Sequence, residues 1–166
     1  GGKKAIAQYE AEDREAELVS PRHYAVTLAH KHLPEMAQIC GLTRKPVFMP
    51  MICDFPQGMV VTVPLYLDML GGSQSLDSLR TLYREFYAGA RFVTVRPDDA
   101  PACGFIGSNN LAGTNELQIF VCGNDEQVML AARLDNLGKG ASGAAVQNMN
   151  IMLGFPEETG LDVQSR

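Results

Sequence analysis

Glu116-Leu117-Gln118-Ile119-Phe120-Val121-Cys122, then Gly123-Asn124-Asp125-Glu126, then Gln127-Val128-Met129-Leu130-Ala131-Ala132-Arg133-Leu134: two apolar runs flank a turn of Gly, Asn and Asp, the pattern of a β-hairpin. Met59–Leu67 (M-V-V-T-V-P-L-Y-L) is the most strand-like run of the chain. Pro64 within it cannot donate to a ladder, so that strand belongs at a sheet edge or carries a bulge. The turn Phe55-Pro56-Gln57-Gly58 feeds it, with Pro pre-setting φ. His23–Leu28 and Arg91–Val95 have the β-branched and aromatic content of further strands.

Helical signals lie between these runs. Lys3–Glu10 reads as a short helix that enters an acidic stretch and is broken by Ser20-Pro21. Pro34 suits the first turn of a second helix and Gly41 its stop. From Ser75 to Gly89, Leu76, Leu79, Leu82, Tyr83, Phe86 and Tyr87 recur at helical spacing. A last helix is expected from Ser142 to Leu153, ended by Gly154-Phe155-Pro156, with the residues after Pro156 loose. Pro46–Pro50 reads as extended, and Arg96–Cys103 and Gly107–Thr114 read as loops. Strands in sequence, linked by hairpins and joined by only three longer helices, define an α+β fold. Its sheet is mixed and mainly antiparallel, with helices packed on one face.

With 166 residues the chain fits one domain, 1–166, that needs no staples to fold. Fourteen Lys and Arg against nineteen Asp and Glu give a net charge of −5, which disfavours a nucleic-acid partner. No apolar run approaches the roughly 20 residues of a membrane span, and no signal-peptide core opens the chain. The four cysteines, Cys40, Cys53, Cys103 and Cys122, form no C-x-x-C pair and read as reduced, structural thiols of a cytoplasmic protein. Gly1-Gly2-Lys3-Lys4 lacks an initiator Met, so the chain reads either as following a tag remnant or as a piece of a longer polypeptide.

Two constellations could carry chemistry. In His30-x-His32-x-x-Glu35, extended backbone would point both imidazoles the same way. Glu35 on the next helix could reach one of them, and a carboxylate beside an imidazole favours its protonated form, as a general acid/base requires. The same residues also read as surface histidines at a helix start, with Glu35 at the positive end of that helix. A metal hydrolase using His30, His32 and Glu35 is a further reading, but only two histidines and one carboxylate are at hand and His23 is seven residues away, so no metal site is assigned. The second constellation is Gly138-Lys139-Gly140-Ala141-Ser142-Gly143, a G-x-G-x-x-G match between a strand and a helix. A nucleotide-binding fold needs a further parallel strand and an acidic residue about 20 positions on, and too little chain follows. What remains is either an anion-friendly helix start or a helix packed closely through its small residues.

Together, His30-Lys31-His32-Leu33-Pro34-Glu35, Pro56–Val63 (P-Q-G-M-V-V-T-V), Asn115–Val121 (N-E-L-Q-I-F-V) and Asp135–Glu157 (D-N-L-G-K-G-A-S-G-A-A-V-Q-N-M-N-I-M-L-G-F-P-E) resemble the N-acetyl-γ-glutamyl-phosphate reductases of arginine biosynthesis. Gly1–Lys4 looks like the tail of that family's S-G-G-G-K segment. The resemblance implies a domain like the C-terminal domain of glyceraldehyde-3-phosphate dehydrogenase-like enzymes, here the catalytic and dimerisation half. It also implies an NADPH-dependent conversion of N-acetyl-γ-glutamyl phosphate to N-acetylglutamate semialdehyde plus phosphate, in a homo-oligomer (dimer or tetramer). His30 would be the acid/base residue, and His32 and Glu35 would position it or the substrate. Asn136, Gly138, Lys139 and Gly140 would approach NADP, bound mainly by a domain missing here, and residues 136–156 would dock on that domain. The family's nucleophilic cysteine stands in a G-N-P-G-C-Y-like string that this sequence lacks, so the chain alone is expected to be inactive. Lys31 replaces the family's usual Arg, which keeps the charge but loses the planar fork. The alternative is a stand-alone oligomerisation or ligand-binding module on the same scaffold.

Overall fold

The computed structural model describes residues 3–96 and 104–162. Cys103 and nearly all of the loop expected at Arg96–Cys103 lie outside them. The chain falls into two units that meet in sequence between Phe55 and Pro56.

The first unit opens with α1 (Lys3–Glu10), as the sequence predicts. Arg14 and Arg22 then fasten the following segment: Arg14 donates to the Tyr9 carbonyl and pairs with Asp54 at 2.9 Å, while Arg22 donates to the Tyr9 hydroxyl. The expected strand His23–Leu28 is shorter and earlier. Only Arg22–His23 (β1) is extended, paired antiparallel with Met51–Ile52 (β2). Ala25 and Leu28 take positive φ (51° and 55°), and the Leu28 N–H closes on the Ala25 carbonyl at 2.9 Å. Such a turn cannot extend a ladder, whatever the β-propensity of its side chains. Helix α2 (Leu33–Ile39) starts with Pro34 in its first turn and buries Leu33.

The second unit is built on a four-stranded mixed sheet in the order β3-β6-β5-β4. Met59–Tyr66 (β3) pairs antiparallel with Gln127–Leu134 (β6), which pairs antiparallel with Leu117–Gly123 (β5); Val93–Val95 (β4) runs parallel to β5. The β5–β6 hairpin is closed by Asn124, whose side-chain oxygen accepts the N–H groups of Glu126 and Gln127. β3 is the edge strand that Pro64 demands. Leu67 donates to Glu126, so by two-residue alternation Leu65 and Val63 face β6 while Pro64 faces the open edge.

Register puts Val61, Val63 and Leu65 on the same sheet face as Val128, Leu130, Ile119, Val121, Val93 and Val95. Helix α3 (Leu76–Phe86) covers the inner part of that face with Leu76 and Leu79. Ser75 caps it in a reciprocal box with Ser78, satisfying two N–H groups at its start. Toward the edge the face is bare, with Val61 43% and Val63 46% exposed. Phe120 and Ala131 are buried on the opposite face.

After β6 the chain makes a π-helical turn (Gly138–Ser142) and enters α4 (Gly143–Leu153), which ends on Gly154 in the left-handed region. The described part of the tail, to Asp162, is not loose as expected. Asn150 donates to the carbonyls of Glu157 and Thr159, the Asn115 N–H donates to the Asp162 carbonyl, and Glu158 pairs with Arg91. A buried amide thus orders a segment whose composition carries no regular pattern.

Candidate functional site

The histidine string sits where extended chain turns into α2. The Leu33 N–H donates to the His30 carbonyl at 3.1 Å and the Met36 N–H to the His32 carbonyl at 2.9 Å, which winds the backbone into the helix. His32 already has helical dihedrals, so the two histidines do not share the extended geometry expected of them. They still meet: their ring centroids are 4.7 Å apart, inclined at 71°, and the Nδ1 of His30 accepts the His32 backbone N–H at 3.2 Å. His30 is half-buried and His32 exposed. Glu35 does not orient either ring. It is exposed, and among the described residues no hydrogen bond or ion pair joins it to His30 or His32.

Two aromatic residues that the sequence reading did not single out complete the setting. Phe48 lies 5.1 Å from His30 at 73°, and Tyr24 lies 5.8 Å away at 64°, both T-shaped. The Tyr24 N–H donates to the Pro50 carbonyl, tying the two segments that carry these rings. No spacing rule links positions 24, 30 and 48. Only the pairing of β1 with β2 brings them together. Among the described residues no three His, Cys, Asp or Glu side chains converge to hold a metal ion.

The glycine-rich loop of the second unit is centred on Asp135, a residue that motif matching passes over. Its carboxylate is buried and accepts four hydrogen bonds: Leu137 and Gly138 N–H at 2.7 and 3.2 Å, Gly113 N–H at 2.6 Å and the Gln57 amide at 2.7 Å. Burial alone would raise this carboxyl, but those donors outweigh it and hold it below the usual carboxylate range. The Asn136 side-chain oxygen accepts the Gly58 N–H at 2.7 Å, and the Gly140 N–H returns to the Asp135 carbonyl at 2.8 Å. The N–H groups of Gly138 and Gly140 are therefore not on offer to a phosphate. Lys139 turns inward, bonding Gln147 and lying 5.4 Å over the Phe92 ring. Burial pushes its ammonium below the usual lysine value, with Glu157 opposing. The small residues serve close packing: a Cβ on Gly143 would come within 1.5 Å of the Asn115 side-chain oxygen, and one on Gly138 within 2.7 Å of the Thr114 carbonyl.

Cys40, Cys53 and Cys122 carry no disulfide. Cys40 ends α2, where the helix dipole disfavours a thiolate, and no hydrogen bond joins Cys40 or Cys53 to a histidine. No described helix is long and apolar enough to cross a membrane.

An α+β unit with a mixed sheet whose apolar face is bare toward one edge has the character of an assembly domain. The chain belongs to the semialdehyde dehydrogenase dimerisation-domain family, which matches residues 1–136. It is 43% identical, over 97% of its length, to N-acetyl-gamma-glutamyl-phosphate reductase 2 of Nostoc sp. (strain PCC 7120), covering 53% of that protein. Identity to the N-acetyl-gamma-glutamyl-phosphate reductase of Trichormus variabilis is 42% over 97% of this chain and 53% of the relative. For the Brucella ovis protein of that name it is 46% over 93% and 51%. The chain spans about half the length of the curated relatives it matches.

Proposed function

We propose that this chain is the catalytic and dimerisation half of an NADPH-dependent reductase in cytoplasmic arginine biosynthesis, converting N-acetyl-γ-glutamyl phosphate to N-acetylglutamate semialdehyde and phosphate. The supporting observation is the 42–46% identity to reductases of that name across nearly the whole chain. A thiolate from outside these 166 residues attacks the acyl carbon, the carbon–oxygen bond to phosphate breaks, and phosphate leaves a thioester. A nicotinamide cofactor, when bound, would supply the hydride that reduces the thioester. His30 is the proton-carrying group, and His32 holds it through its backbone amide. Glu35, which does not touch the imidazoles, is left to the substrate. Among Asn136, Gly138, Lys139 and Gly140, the engaged glycine N–H groups do not fit a phosphate cradle. Asn136, whose side-chain oxygen is taken by the Gly58 N–H, would offer the cofactor its amide nitrogen, and Gly138, Lys139 and Gly140 hold the loop's shape.

Residues 136–156 face the rest of the reductase: Met149, Ile151, Met152 and Leu153 of α4 are exposed apolar side chains that a cofactor domain would cover. The reductase as its source cell makes it should oxidise NADPH only with the acyl phosphate present. In it, His30→Asn should lower kcat by about 10²–10⁴-fold with KM little changed, whereas a near-normal kcat removes His30 from the chemistry. A protein without phosphate-dependent turnover would instead support the binding-module reading.

The bare, edge-side part of the sheet face is proposed as the contact with a second copy of the chain. Met59, Val61 and Val63 lie exposed there in one row, and the family's description is that of a dimerisation domain. Val61→Lys should move the protein from oligomer to monomer in sedimentation at micromolar concentration. An unchanged oligomer would place the contact elsewhere.

A further inference from the structure

His30 has a proton to carry under the reading above, and its surroundings decide which nitrogen carries it. A neutral imidazole has one N–H and one lone pair, and a ring nitrogen that receives an N–H must be the one offering the lone pair. The Nδ1 of His30 receives the His32 backbone N–H, so the proton sits on Nε2. The donor is not adjustable: it lies in the turn closed by the Leu33-to-His30 hydrogen bond and is followed directly by α2. The acceptor, by contrast, sits on a side chain that could rotate away. Phe48 stands against that rotation. It is half-buried, its ring is inclined at 73° to the imidazole at 5.1 Å, and it is carried on a segment with prolines at both ends. That segment is pinned where Pro50 accepts the Tyr24 N–H. The other neighbours, Tyr24 and His32, are exposed and less constrained.

We propose that Phe48 is a positioning residue which, with the His32 amide, locks His30 as its Nε2–H tautomer, so that His30 meets the reacting carbonyl as a hydrogen-bond and proton donor. Only the last clause rests on the reductase reading; the tautomer lock does not.

The test uses the 166-residue chain with ¹⁵N-labelled histidine in alkaline buffer, read by long-range ¹H–¹⁵N correlation. His30 should show the Nε2–H pattern with Nδ1 at the lone-pair end of the nitrogen range. His23, exposed on β1 without a ring contact, should show tautomer averaging and serves as the internal reference. Phe48→Ala should shift His30 to the averaged position of His23, and Phe48→Tyr, which keeps a ring edge, should restore the wild-type pattern. If Phe48→Ala loses its native amide dispersion, Phe48→Leu, which keeps bulk without a ring, is read by the same criterion. A wild-type His30 that is averaged or protonated on Nδ1 overturns the proposal. So does a His30 pattern unmoved by loss of the ring in a folded variant. In the active enzyme, Phe48→Ala should lower kcat and leave KM unchanged. A locked tautomer in a protein without reductase turnover would refute the function and leave the lock standing.

Discussion

The described residues of 3–55 and those of 56–162 solve the problem of holding a site in opposite ways. In the first, the described residues bury only Leu18 and Leu33 among their apolar side chains, and the ladder is two residues long. Tyr24, Val26, Ile39, Val47 and Met51 are all more than two-fifths exposed. Shape there comes from turns, prolines and ring contacts around His30. In the second, Phe92, Leu111, Phe120, Val121, Val128 and Ala131 are almost wholly buried about a continuous sheet, and the buried carboxylate of Asp135 is saturated with donors. The difference teaches where precision resides. The His30 ring is held by a few contacts that a single substitution can release. The loop at Asp135 is held by a network that resists change.

The sharpest way to break that contrast is to damage the sheet. Phe120 is 1% exposed, and its ring also receives the Arg133 guanidinium at 5.1 Å. Phe120→Ala should cost about 3–5 kcal/mol, the range for truncating a buried aromatic residue. Chemical denaturation followed through β5 and β6 amide signals would measure it. A loss below about 1 kcal/mol would mean that the sheet core tolerates a cavity and that the two regions are not so different in kind.

How much of this could be read beforehand follows the same division. The hairpin, the edge position of β3, the helix α3 and the glycine stop of α4 were all legible, because each rests on a local rule: alternation, the missing proline N–H, helical spacing of apolar residues, a left-handed glycine. His23–Leu28 misled, because its β-branched residues sit in a turn closed by the Leu28 N–H on the Ala25 carbonyl, with both of those residues at positive φ, which side-chain propensity does not reveal. His30 and His32 were legible as a pair, but spacing along a chain does not say how the chain turns, and Glu35 makes no hydrogen bond or ion pair to either ring. The glycine-rich string drew attention to N–H groups, and only the fold reveals that Asp135, just before it, already occupies them. Phe48 left no signal at all.

Asp135 sharpens the comparison in a second, smaller way, through pH. Its folded carboxyl lies below the usual range, whereas an unfolded aspartate titrates near pH ~3.9. A depressed folded value means that protonation favours the unfolded chain. The stabilisation is therefore complete above the unfolded value and drains away as pH falls through the folded one. Asp135→Asn keeps the shape, removes the charge, and replaces one accepting oxygen by a donor facing N–H groups. At neutral pH it should lose about 1–3 kcal/mol of stability, and its stability should fall less steeply than wild type on acidification, so that the two curves converge below about pH 4. The ion pair Arg14–Asp54 in residues 3–55, about one-third exposed on both sides, is worth at most about 1 kcal/mol by comparison. Parallel curves for wild type and Asp135→Asn from pH 7 to 3 would show that the carboxylate's charge is not what secures the loop. The contrast between a network-held region and a contact-held one would then rest on apolar packing alone.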